Sequence, residues 1–348
     1  VITVAPTRYH ARLARAAGFA SAGVRRPSRV AFVAELADRP ERASVGSVDR
    51  SGPAPSQRLA RFLSDLPRPP RTGCPAHAGA HGPAVWRSER RSFFRCPVCG
   101  LVYLERFASD TERYRESYFM DEYEAQYGKT YLEDFEHIRG MGRRRMDEIA
   151  RVASRPLESV LDVGCAYGPF LAAAAERGLT PYGIDVAPEA IAYVRETLGF
   201  TAIAGDVLTL DAAAQLGRSG FDVVTLWYVV EHFWELDRLL ATLSAIVEPG
   251  GVLALSTPHG AGISARRRPD AFYAESPRDH FTIWDEPSGR RVLAEHGFAL
   301  RRVVVTGHHP ERYPAVQRAL IPESFVRLHS RLFGMGDTFE LYAVKENQ

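Results

Sequence analysis

Two groups of residues in this sequence have the types and spacing to do chemistry. The first is Cys74-Pro-Ala-His77, followed after 18 residues by Cys96-Pro-Val-Cys99-Gly100. Two-residue spacing lets both side chains of a knuckle reach one ion. Two knuckles complete a tetrahedral set, the geometry of structural zinc. Cys74, His77, Cys96 and Cys99 are therefore the expected metal ligands. His77 stands where such a ribbon usually has cysteine, and His81 competes for the fourth place. Reduced, unliganded thiols near a loop are the bland alternative. The second group sits at the ends of apolar runs: Asp162, Asp185, Asp206 and the pair Glu231-His232. Carboxylates there suit polar ligand groups, and a histidine beside a carboxylate suits proton transfer near neutral pH.

Those residues need elements to hold them. Ser159–Val163 is a short apolar run that reads as a buried strand. Pro169 suits the first turn of a helix, which Phe170, Leu171 and the alanines to Ala175 continue. Between them, Gly164 and Gly168 make a tight turn that lets a ligand approach the backbone, at a helix N-terminus that favours polar or anionic groups. Residues 182–185, 202–207 and 221–227 read as three more strands, the last leading into Glu231-His232. In an open α/β sheet ligands bind beyond the carboxyl ends of the strands, so one cleft should collect all four strand ends. Helices are expected at 188–198, 211–216, 236–247 and 287–296. Strands are expected at 251–257, 299–306 and 339–344, the last antiparallel, with a helical segment within 310–335. Residues 261–282 read as a polar insertion carrying Arg266-Arg267-Arg268 and His280, which could fold over the cleft mouth.

The order of glycine turn, acid, acid and Glu-His, over roughly residues 158–306, resembles class I S-adenosylmethionine-dependent methyltransferases. Their acid-x-Gly-x-Gly-x-Gly motif reads here Asp162-Val163-Gly164-Cys165-Ala166-Tyr167-Gly168, with Ala166 in place of the middle glycine. A nicotinamide-type G-x-G-x-x-G fits worse, because Ala166 and Pro169 break it. The resemblance implies a Rossmann-like, seven-stranded, mostly parallel α/β sheet. It implies S-adenosylmethionine as cofactor, its ribose hydroxyls held by Asp185 and its adenine amine met by Asp206. Asp162, Gly164, Cys165, Ala166, Gly168, Val186, Val207 and Trp227 complete the implied cofactor site. Tyr127, in an aromatic segment that reads as a lid, joins them.

Methyl transfer is an in-line displacement at a sulfonium carbon, so the protein must align the nucleophile, and for a hydroxyl a base or metal is useful. His232 is the expected general base, oriented by Glu231, with His280 folding over the same mouth. A metal site is the competing role, since magnesium-dependent ubiquinone-pathway relatives carry Glu-x-x-Glu-His. Here Tyr228 occupies the first Glu position, which favours the base. An Asn-Pro-Pro-Tyr signature, typical of amino-group methylation on DNA and protein glutamine, is replaced by Trp227-Tyr228-Val229-Val230. The expected acceptor is an oxygen on a small molecule. The alternatives are a nucleic-acid or protein methyltransferase that uses the ribbon for recognition, and a non-catalytic cofactor-binding module.

Composition sets the outer limits. The chain has 348 residues, 45% hydrophobic, and four cysteines, too few for a disulfide scaffold of that size. The sequence has no run long enough for a transmembrane helix and no signal-peptide core, so a cytoplasmic protein without membrane contact is expected. Its net charge of +2 hides an asymmetry. Residues 1–73 hold 13 Arg, no Lys and five acids, which leaves the remainder mildly acidic and gives no support for a nucleic-acid groove. That first stretch reads as a disordered, Arg/Ala/Pro-rich extension; an Arg-rich targeting peptide or nucleic-acid arm is the functional alternative. The expected order is extension 1–73, ribbon 74–106, aromatic helical lid 107–155 and methyltransferase domain 156–348.

Overall fold

The computed structural model describes residues 73–88, 91–105, 123, 128–313 and 322–346, all within one unit, Pro70–Gln348. The expected N-terminal extension up to residue 72, most of the aromatic segment and Tyr127 lie outside the described residues.

The chain first makes five short strands: β1 (Gly73–Cys74), β2 (His77–Ala78), β3 (Ala84–Arg87), β4 (Ser92–Arg95) and β5 (Val102–Glu105). β1 and β2 form one hairpin, and β3, β4 and β5 follow as an antiparallel meander. Phe93 and Leu104 pair across β4 and β5 and bury completely, the small core of the module. Helix α1 (Phe135–Val152) then lays Ile138, Met146 and Ile149 inward, and its Gly142 lets it press closely on the next helix.

The main sheet begins with β6 (Ser159–Val163), buried at every position, as expected of a parallel strand covered on both faces. Helix α2 (Pro169–Ala175), β7 (Thr180–Asp185), α3 (Pro188–Glu196), β8 (Thr201–Ala204), α4 (Ala212–Leu216), β9 (Phe221–Trp227), α5 (Leu236–Ile246) and β10 (Val247–Pro258) continue the βα alternation. After it come α6 (Ile263–Arg267), α7 (Pro269–Glu275), β11 (Thr282–Ile283), α8 (Glu286–Glu295), β12 (Phe298–Thr306), α9 (Glu323–Leu332) and β13 (Thr338–Lys345). The seven-stranded order is β12-β13-β10-β9-β6-β7-β8, with β13 antiparallel to both neighbours and the other pairs parallel. This is the Rossmann-like sheet the motifs implied. β6 lies beside the middle strand β9; the chain leaves β6 toward β7 and β8 and returns to its other side at β9, the switch point at which a cleft opens.

The insertion differs from expectation. Its composition reads as polar loop, yet α6 and α7 form within it, and its end becomes β11. β11 does not join the large sheet. It pairs antiparallel with β5, Thr282 opposite Tyr103 and Ile283 opposite Val102, and so completes the ribbon's four-stranded sheet. Ile283 buries with Phe93, Val102 and Leu104, and apolar packing explains the choice of edge. No helix among the described residues is long and apolar enough to cross a membrane.

Candidate active site and metal centre

The turn after β6 is held by backbone bonds from Gly164 and Cys165 to the Ile184 carbonyl. Gly164 (φ 75°) and Gly168 (φ 80°) occupy the left-handed region, and a Cβ on Gly164 would lie 2.5 Å from Val229 Cγ2. Ala166 also adopts a left-handed conformation, at φ 45°, a strained choice for a residue with a Cβ. The turn is held there from outside: Asp185 Oδ2 accepts from Ala166 N at 2.8 Å, and Oδ1 from Ala187 N at 2.9 Å. Each carboxylate oxygen has accepted one bond and can accept another, which suits a pair of vicinal hydroxyls. Burial pushes the Asp185 carboxyl up, while those backbone N–H groups pull it down.

Asp162 lies beneath the turn, fully buried, and accepts from Thr225 Oγ1 at 2.6 Å. Burial pushes its carboxyl up to about 7, against the Thr225 bond and the nearby Arg145 charge. Arg145, from α1, is a site residue that the motifs do not reveal. Its guanidinium is buried, pairs with Glu340 Oε1 at 2.8 Å and lies 4.1 Å from the centroid of Trp227. Tyr131, just before α1, reaches the same place. Its ring stands 6.1 Å from that of Tyr167, and burial, with the charges of Asp162 and Asp185, raises its phenol.

Not every expected cofactor residue converges. Asp206 is exposed and spends Oδ1 on capping a short 3-10 turn, accepting from Leu208 N at 2.9 Å. Val207 beside it is buried, whereas Val186, after Asp185, is half exposed. Trp227 ends β9, its indole N–H buried and without a hydrogen-bond partner.

At the mouth, a 3-10 turn, Val230–His232, follows β9 and brings Glu231 and His232 together with His280. Ligand-type atoms of these three side chains lie within 4.8 Å of one another, and the two imidazole centroids are 4.7 Å apart. Glu231 is not the residue that orients His232, contrary to the sequence reading. His232 Nδ1 lies 3.0 Å from Asp279 Oδ2, in the insertion. Glu231 is buried beside the Thr257 hydroxyl, its oxygens without a well-formed hydrogen bond, and burial pushes it up to about 7. Burial alone would lower His232, but the Asp279 bond and the Glu231 charge outweigh it and raise the imidazole. Asp279 is correspondingly held down at about 2, the His232 bond overcoming its burial. Burial and the His232 charge depress His280 to about 3, so it is the neutral partner.

In the ribbon, Cys74, His77, Cys96 and Cys99 bring one donor atom each within 4.8 Å of the others. Cys74 Sγ lies 3.9 Å from Cys99 Sγ and 3.8 Å from His77 Nδ1, and Cys96 Sγ 3.8 Å from the same nitrogen. A tetrahedron with zinc–sulfur bonds of about 2.3 Å has edges of about 3.8 Å, so the donor set and its spacing fit the ion. His77 Nε2 lies 2.9 Å from Glu295 Oε2 of α8, a carboxylate behind the ligand imidazole of the kind that favours one tautomer. His81 faces Glu105 instead, at 3.7 Å.

Comparison with known proteins agrees with this geometry. Residues 135–303 match the family described as a methyltransferase domain. The matched segment spans the helix before the main sheet and the sheet's strands from β6 to most of β12. Among curated proteins, the ubiquinone biosynthesis O-methyltransferase of Pseudomonas fluorescens (strain SBW25) is 33% identical over 114 residues, 32% of this chain and 48% of its own. The enzyme of the same name from Pseudomonas paraeruginosa (strain DSM 24068 / PA7) is 31% identical over 126 residues, 36% and 54% respectively. The matches span about half the length of these relatives. A solved S-adenosylmethionine-dependent methyltransferase from Archaeoglobus fulgidus aligns with 62% of this chain and 100% of its own, at 19% identity and a TM-score of 0.45.

Proposed function

We propose that this protein transfers a methyl group from S-adenosylmethionine to an oxygen of a small-molecule acceptor, and that its ribbon carries one structural zinc. The observation that carries the reading is the placement of Asp185, with two unspent acceptor positions, beside the glycine turn, and of His232 at the mouth of the same sheet end. The name shared by the curated relatives supports oxygen as the acceptor atom. The cofactor supplies an activated methyl group. The chain supplies the rest. Asp185 receives ribose hydroxyls, Tyr131 covers the turn, and His232 accepts the proton of the incoming hydroxyl. Glu231, which burial pushes up to about 7, keeps part of its charge near neutral pH and helps to stabilise the developing imidazolium. Asp279 balances the same imidazolium charge.

A second reading has one specific observation in its favour. The buried Glu231 carboxylate lacks a well-formed hydrogen bond and faces two imidazoles, which would suit a cation that binds the acceptor oxygen. Restoration of a chelated protein by added divalent metal would favour it.

Calorimetry with S-adenosylmethionine and its demethylated product tests the cofactor half. Asp185→Ala should weaken both by roughly 1.5–3 kcal/mol. Unchanged affinity would remove Asp185 from the site. For the acceptor, metabolites of wild type and a deletion strain are compared, and labelled cofactor is then supplied with the compound that differs. Label entering a polynucleotide or protein instead would overturn the small-molecule assignment.

A further inference from the structure

The proposed chemistry at His232 needs one ring nitrogen presented to the cleft and the other held. The holding group comes from outside the core motifs. Asp279 lies in the link between α7 and β11, three residues before the strand that the ribbon captures. That link is pinned on both sides. Phe281 N donates to the Glu231 carbonyl at 2.7 Å, and Leu104 N of β5 donates to the Phe281 carbonyl at 2.9 Å. Further back, Trp86 Nε1 of β3 donates to Asp270 Oδ1 at 3.1 Å, and Tyr273 packs against Phe93 and Trp86. Arg91 donates to the Ser276 carbonyl. The ribbon therefore grips the insertion along its length, and the gripped end carries Asp279 to His232.

We propose that Asp279 is the positioning residue for His232, held in place by the ribbon's capture of β11, and that it commits the neutral imidazole to carry its proton on Nδ1 and to offer Nε2 to the acceptor. This rests on His232 being the working group at the mouth, and it holds whether Nε2 takes a proton or binds a cation. The 3.0 Å approach of Asp279 Oδ2 to Nδ1 puts a carboxylate behind the ring, the placement by which a histidine's tautomer is chosen in acid–base catalysis, where loss of the carboxylate leaves the wrong tautomer. Two further groups face His232: Glu231 is its neighbour in the same turn, and His280 meets the ring edge to face. Arg91, from the ribbon hairpin, acts on His280 by its charge.

The test needs no acceptor. The full chain is labelled with 15N-histidine and studied by NMR, with His232 assigned by the signal lost in His232→Gln. At a pH where the ring is neutral, the wild type should show Nδ1 protonated and Nε2 bare. Asp279→Ala should shift the ring toward the Nε2–H form that histidine ordinarily prefers, and Asp279→Glu should restore at least part of the wild-type signature. Ile283→Ala, which loosens the captured strand from Val102 and Leu104, should show both tautomers. An Asp279→Ala ring indistinguishable from wild type overturns the proposal. An Ile283→Ala ring indistinguishable from wild type overturns the ribbon's part in it. Calorimetry with the demethylated cofactor on the same samples separates this from the functional reading. Affinity within about twofold across the variants agrees with positioning alone. A wild type that binds no cofactor defeats the methyltransferase reading and leaves the tautomer result to decide the proposal.

Discussion

The molecule holds two histidines in nearly the same way and surrounds them differently. His77 has a carboxylate, Glu295, behind one nitrogen and three cysteines around the other. His232 has a carboxylate, Asp279, behind one nitrogen, with a buried carboxyl and a second imidazole beside it at the end of a sheet. The orienting group does the same work in both places, fixing which nitrogen is offered. The difference lies in what the offered nitrogen meets. A closed set of soft donors satisfies an ion completely and leaves nothing over for chemistry, whereas an incomplete set at a cleft keeps a position open. On the proposed roles, the other neighbours decide whether the imidazole is structural or reactive, and the carboxylate behind it does not distinguish the two.

The sharpest break of this comparison is Cys96→Ser. It should take metal content from about one zinc per chain to none and unfold the ribbon, because the binding energy of such an ion is folding energy. Metal analysis and tryptophan fluorescence read both. A wild type that is free of metal and fully folded would end the parallel.

His232→Ala comes next. With the acceptor in hand, turnover should fall about 10²–10⁴-fold while cofactor affinity stays nearly constant. The rate of the wild type should rise with pH through a value above that of free imidazole, since only the neutral ring accepts a proton and Asp279 holds the proton on. Full activity in this variant would reduce the mouth to a docking surface.

Glu295→Gln sharpens the other side. Loss of the orienting charge behind a ligand typically costs about 10–100-fold in metal affinity, so competition with a zinc chelator should show a loss in that range and no change in cofactor binding. An unaltered zinc affinity would mean that Glu295 serves only to dock the ribbon.

The smallest effect uses a carboxylate outside both sites. Asp222 accepts from Ser159 Oγ at 2.7 Å and from Arg155 at 2.6 Å, and these bonds outweigh its burial and hold it below the ordinary carboxylate range. A depressed carboxyl contributes stability above its unfolded value, near 3.9, and loses it as pH falls through the folded value. Asp222→Ala should therefore cost about 1–3 kcal/mol at neutral pH. The gap to wild type should narrow on acidification below about pH 4. A gap of constant size in denaturant melts across that range would assign the loss to packing.

How much of this was legible in the chain follows from the range of each interaction. The turn from Asp162 to Gly168 and the acid at Asp185 could be read directly, because a strand, a tight turn and a helix start are encoded within about ten residues. The knuckle spacing is local in the same way; between His77 and His81, which the spacing leaves open, the fold brings His77 to the cysteines and His81 to Glu105. Asp206 was placed at the right strand end, but its side chain turns to cap Leu208, a competition that composition does not reveal. Arg145 was hidden as one of three consecutive arginines, of which helical phase buries this one. Asp279 was hidden more deeply. The insertion lacks the period of a strand or a long helix, and what orders it is the edge of a sheet far away in sequence. The assignment of Glu231 as the orienting carboxylate failed because adjacency in the chain was taken for adjacency of side chains.

That remote edge has a consequence for how the protein comes into being. Tyr103 and Thr282 are partners across about 180 positions, so their pairing closes a very long loop for only two residues of ladder. During synthesis the knuckles leave the ribosome before the main sheet, and β5 must wait for its neighbour until the strands from β6 to β10 have been made. Over that interval Val102 and Leu104 sit on an unpaired edge, the kind of surface on which nascent chains join one another. Conditions that slow elongation between these positions should cost soluble yield more than they cost the stability of what has already folded.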